Sequence, residues 1–196
     1  MNTRSPHPSR ARRAGYTVIE VMVALGILAL GASGIIALQR ATAVSGTQAR
    51  NLAMANLIAQ SWAERIRVDA LQWNEPNGLP DLSETDWLRL AETNPDQRLI
   101  PEEVPTMGSP VADVLGIDAY SADLVTSAYC THLRFHRFPG IMSTPGTLIR
   151  ADIRVFWRRD GSPADCDVTP SAVDAQPDLY GAVYLTTSVM RNKIRD

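Results

Sequence analysis

The 196-residue sequence predicts an α+β fold, with one long N-terminal α-helix packed on a C-terminal antiparallel β-sheet. Three observations predict it. Residues 15–38 read GYTVIEVMVALGILALGASGIIAL, an apolar run long enough to cross a bilayer. No proline occurs between Pro8 and Pro76, so no breaker stops a helix that begins in this run. The last third of the chain alternates apolar and polar residues with the period of two expected of half-buried strands.

The segment before the apolar run is basic. The first fifteen residues hold Arg4, Arg10, Arg12 and Arg13 and no acid. With a formal net charge of -2, the remainder is therefore net acidic. Arginines in that position suit the cytoplasmic flank of a membrane span. The acidic remainder offers no footprint for nucleic acid. An ordinary secretory signal has an apolar region of about 7–15 residues, which the run from Val18 to Leu38 exceeds. A plain signal anchor accounts for the length but leaves Gly15 and Glu20 unexplained. Glu20 is the one acid in the run. A carboxylate at the edge of hydrocarbon is costly unless it is paired. It either snorkels to the headgroups or meets a cation of another chain.

Helical periodicity continues past Leu38. Leu52, Ala55, Ala59, Trp62 and Ile66 recur at steps of three and four and form one face. Gln48, Arg50, Gln60, Glu64, Arg65 and Arg67 supply polar positions. The expected helix runs from about Thr17 to about Ala70, roughly 80 Å at 1.5 Å per residue. Residues 39–70 are its amphipathic second half, which must pack on the soluble domain. Gly26, Gly31 and Gly34 lie in the span. Small residues in lipid let helices approach closely.

Residues 71–128 are rich in turn formers and read as a variable loop region, with a short capped helix over Ser83–Leu90. The sheet domain occupies residues 129–196. Its first strand covers Thr131–Phe138, with Leu133 and Phe135 on one face and His132 and His136 on the other, facing solvent. The second covers Thr147–Trp157, with Arg150, Asp152 and Arg154 opposite Ile149, Ala151, Ile153 and Val155. Asp160-Gly161 signals a turn. Asp178–Val189 supplies a third strand, for a sheet of three or four.

Cys130 and Cys166 are the two cysteines. Behind a translocated segment they meet an oxidising compartment, where one disulfide is the expectation; two separate buried thiols are the alternative. Catalytic and metal-binding patterns are weak. On a strand, His132 and His136 stand about 13 Å apart, too far for one ion. Asp160, Asp165 and Asp167 near Gly161 lack the order of a calcium loop. Neither a GxSxG nor a P-loop signature appears. The expectation is a chain that is not an enzyme, with no cofactor, metal or small-molecule substrate.

Gly15-Tyr16-Thr17-Val18-Ile19-Glu20 and the aliphatic run after it resemble the class III prepilin signal of type IV pilins and pseudopilins. That family has glycine, an aromatic (usually phenylalanine), Thr or Ser, two aliphatics and glutamate. Tyr16 is the departure. The resemblance implies a pilin-like α+β fold and residues 1–15 as a leader. It implies cleavage between Gly15 and Tyr16 by a prepilin peptidase/methyltransferase, with N-methylation of Tyr16. Residues 16–38 would form a transmembrane and assembly helix. Glu20, fifth in the mature chain, would pair with the terminal ammonium of a neighbouring subunit. The Cys-led strand, the Arg-rich second strand and the late Tyr-Thr-Thr strand resemble the minor pilins of the PilV, or pilus modification, group. Implied partners are the peptidase, other minor and major pilins, and the inner membrane. The C-terminal domain would be periplasmic, then displayed on the pilus. Type II secretion pseudopilins share the N-terminal pattern. A membrane-anchored periplasmic enzyme or binding domain is the alternative of a different class.

Overall fold

The computed structural model describes residues 15–73, 81–120, 127–138 and 148–191. They form one long helix, two short ones and a five-stranded sheet. Helix α1 spans Val18–Asp69, and a 3-10 turn over Ala70–Gln72 ends it. By compactness the chain divides into residues 1–46 and residues 47–196. The first unit is described under the functional site; the second is the globular domain.

In the globular domain the buried face of α1 is Ala55, Ile58, Ala59, Trp62, Ala63, Ile66 and Asp69. This is the predicted stripe with one correction: Leu52 is half exposed, and Ile58 and Ala63 complete the face instead. Three small residues one turn apart, Ala55, Ala59 and Ala63, lie in the core beside the bulkier Trp62 and Ile66.

Helix α2 (Leu90–Thr93) and strands β1 (Arg98–Leu99) and β2 (Val111–Ala112) lie in the stretch expected to be loop. The expected helix over Ser83–Leu90 is not formed. Residues 83–89 make turns, and the helix begins at Leu90. The reason is Asp69. Its buried carboxylate accepts the backbone N–H groups of Asp86, Trp87 and Leu88 at 2.7, 3.0 and 2.9 Å. Those donors are spent on a side chain from α1, which holds the segment as a turn. Leu82, Trp87 and Leu88 are fully buried. The Trp87 ring packs 4.9 Å from Trp62. Leu82, Trp87, Leu88 and Ala91 are thus part of the core.

Strands β3 (Tyr129–Arg137), β4 (Leu148–Arg158) and β5 (Tyr180–Met190) are long and antiparallel, in the order β1-β3-β4-β5, with β2 also on β3. Their register pairs Leu133 with Ile153 and Ile153 with Leu185. Leu133, Phe135, Ile149, Ile153, Val155 and Val183 share the core with α1. At Trp157↔Gly181 the indole lies over the glycine, where an added Cβ would come within 2.5 Å of the ring. The Asp160-Gly161 turn follows β4, with Gly161 at φ +76.

The opposite face of the sheet is covered too, which the sequence did not predict. Val111, Cys130, Phe156, Ala164, Cys166, Val173 and Tyr180 form a second buried cluster. Helix α3 (Pro170–Ala175) contributes Val173 to it. The Cys130–Cys166 disulfide, with Cα atoms 5.3 Å apart, ties this cover to β3.

Candidate functional site

The N-terminal unit is built by one local device and one compositional one. Gly15, Tyr16 and Thr17 precede the helix. Thr17 Oγ1 accepts the Glu20 backbone N–H at 3.3 Å, and Thr17 O accepts from Glu20 and Val21. Thr17-Val18-Ile19-Glu20 is thereby a helix start of the Thr-x-x-Glu type. Glu20 also sits in the first turn, where the helix dipole favours an anion. The Thr-x-x-Glu spacing before an apolar run was legible in the sequence and gives Glu20 a second, local reason to be there.

Beyond this start the surface is apolar and uncovered. Tyr16, Val18, Ile19, Met22, Leu25, Leu28 and Leu30 are all more than half exposed. The most apolar 18-residue window has mean hydropathy 2.5 and none of it is buried. A row along one face, Tyr16, Glu20, Ala24 and Leu28 with Val21 and Leu25 beside it, lines a shallow groove. It places the one carboxylate of the helix start among aliphatic side chains. Uncovered apolar area of this extent calls for lipid or other helices as its surroundings. Gly15, Gly26, Gly31 and Gly34 have open space where a side chain would stand.

The sheet domain holds the polar groups that a catalytic alternative would need, and they are committed to one another. His132 is fully buried, not solvent-facing as its alternation suggested. Its ring packs 4.7 Å from Phe156, and Nδ1 accepts from Arg154 at 2.6 Å. Burial first, then the Arg154 and Arg98 cations, push the imidazole down to about 3. Arg154, equally buried, also donates to Asp174 and to Pro170 O. One row along, Asp152 accepts from Arg134, Arg150 and Thr186. Burial alone would raise its carboxyl, but these hydrogen bonds outweigh it and hold it at about 2. His136 is partly exposed and pairs with Asp96. Asp160 is a turn residue that accepts from Arg158 and Ser162. Among the described residues no group of three or more His, Cys, Asp or Glu is placed to hold a metal ion.

Residues 10–36 match the family described as Prokaryotic N-terminal methylation motif. No curated protein and no solved structure matches the chain. The matched residues end within the exposed apolar helix and include Gly15, Tyr16 and Glu20. A prepilin-type N-terminal motif on a long apolar helix points to a type IV pilin-like or pseudopilin subunit, and is consistent with an inner-membrane anchor.

Proposed function

We propose that the chain is a minor pilin, of the PilV group, that enters or primes a type IV pilus and acts by assembly without covalent chemistry on a substrate. A prepilin peptidase cuts between Gly15 and Tyr16 and methylates the new terminus. Residues 16–38 then hold the subunit in the inner membrane, with residues 39–196 on the periplasmic side, and later pack among other pilin helices. Glu20 is neutralised there by the terminal ammonium of a neighbour, which removes the cost of a carboxylate in hydrocarbon. The sheet domain faces outward toward other minor pilins.

One observation carries the reading: the N-terminal methylation motif lies on the helix start whose apolar surface is uncovered. The motif points to a structural subunit rather than to an enzyme. The matched segment is the part that pilins share with type II secretion pseudopilins, so a pseudopilin is the second reading. Intact-mass measurement of membrane-extracted protein tests the proposal. The expected species starts at methylated Tyr16. A chain that keeps residues 1–15 in a peptidase-competent cell sinks it.

A further inference from the structure

Strand register sets Arg98 directly opposite Arg134, and Arg134 opposite Asp152. His132 lies opposite Arg154, and Arg154 opposite Tyr184. Directly opposed residues share a face, so these side chains all stand on the side of the sheet away from the α1 core. Like charges directly opposed repel, and the acids of this face are already engaged. Asp152 is shared by Arg134 and Arg150, Asp174 is bonded to Arg154, and Asp96 to His136. Among the described residues no carboxylate is bonded to Arg98. Its guanidinium rests instead on the Tyr184 ring, 5.4 Å from the centroid. That ring is 60% exposed, so solvent reaches this end of the face.

Two buried donors point the same way. Nε of Arg98 and Nε of Arg154 are buried without an acceptor among the described residues, and Arg154 as a whole is 0% exposed. Leaving a buried donor unpaired costs free energy, most of all for a charged group. Burial first, then the Arg154 and Arg134 cations, lower the Arg98 guanidinium from its ordinary value, against which Tyr184 and Asp174 pull. A cavity of about 260 Å³ adjoins Arg98 and is lined also by Thr169 and Pro170. Pro170 O takes one of the Arg154 bonds, so the cavity wall touches both cations. Asp86 and Glu102 line it too, and Glu102 is paired with Arg89. Two acids in the wall oppose a highly charged ligand. The volume lies below that of pockets for drug-sized molecules.

We propose that this face binds a small free carboxylate, held by Arg98 and drawn in by the buried charge of Arg154. The guanidinium fork matches a carboxylate, and the bond is charge-assisted. One negative charge relieves the opposition of Arg98 to Arg134 without adding a second charge beside Asp86 and Glu102. The ligand is bound and not transformed, and the inference is independent of the pilin reading.

The test is a titration of the full chain in detergent micelles with acetate, read from the arginine Nε–H signals by NMR and from the thermal midpoint. Chloride at equal ionic strength is the control, since screening alone acts on any exposed charge. One Nε–H signal, absent from Arg98→Gln, is expected to move saturably with acetate in the millimolar range and not with chloride. The midpoint should rise with the same dependence. Arg98→Gln should weaken the midpoint response roughly tenfold or more. Arg67→Gln, which removes the same charge from α1, should leave both responses unchanged. The proposal is overturned if no wild-type Nε–H signal moves more with acetate than with chloride, a readout that needs no substitution. It is overturned as well if Arg98→Gln keeps the wild-type midpoint response, or if sulfate saturates the site at lower concentration than acetate.

Discussion

Arg154 donates to His132 Nδ1 at 2.6 Å, and both residues are fully buried. The guanidinium has no acceptor role, so the imidazole is neutral with its proton on Nε2. The unfolded chain takes up a proton near pH 6.5 that the folded chain refuses until about 3. Between those values the unfolded state binds more protons, so stability is full above pH 6.5 and falls as the pH is lowered. The expected slope is about 1.4 kcal/mol per pH unit for this one group. Denaturant unfolding followed by tryptophan fluorescence from pH 7 to pH 4 measures it. His132→Gln, which keeps an acceptor for Arg154 but does not titrate, should flatten that limb.

Asp69 gathers three backbone donors from residues 86–88. Asp69→Ala leaves them buried without an acceptor, an expected loss on the order of 3 kcal/mol. Asp69→Asn should cost less, because one oxygen remains. A midpoint for Asp69→Ala equal to that of the wild type would remove this contact from the account of the fold.

The disulfide closes a loop with a sequence separation of 36. In the chain-entropy account this is worth about 4 kcal/mol. Cys130→Ser with Cys166→Ser should lower stability by roughly that amount, read from unfolding under non-reducing conditions. Reducing the wild type should have the same effect.

An alanine at position 181 would drive its Cβ into the Trp157 indole. Gly181→Ala is expected to cost about 1–3 kcal/mol through overpacking and to shift the fluorescence of Trp157. An unchanged thermal midpoint would show that the ring moves aside freely.

Glu20→Gln removes the charge but keeps the size. Membrane insertion should be unaffected, since the apolar window is otherwise intact. Incorporation into sheared pili should fall sharply. Wild-type levels of the variant in the sheared fraction would show the charge to be dispensable.

Much of this architecture can be read from residue order. The long helix follows from the absence of proline between Pro8 and Pro76, and β3, β4 and β5 from their alternation. The N-terminal motif is contiguous, so its recognition needs no tertiary information. What was not legible depends on contacts distant in sequence. His132, Asp152 and Arg154 alternate as a solvent-facing row would, yet residues 164–173 fold over part of that row. One clue was available: Cys130 and His132 have the same parity on β3, so a bond from Cys130 to Cys166 carries the following residues onto the His132 face. Residues 81–91 misled for another reason. Trp87, Leu88 and Ala91 have helical spacing, yet a turn held by Asp69 positions Trp87 and Leu88, and of the three only Ala91 lies in a helix.

In the fibre proposed above a subunit would bear mechanical load, and the Cys130–Cys166 bond changes how this domain would respond to it. A pull transmitted from α1 to the end of β5 passes through the sulfur bridge and not through the hairpin between β3 and β4. The bypassed segment, with its separation of 36 residues, would otherwise release about 120 Å of extended backbone. Under tension the oxidised domain therefore lengthens by that much less than its reduced form, and stays the stiffer link.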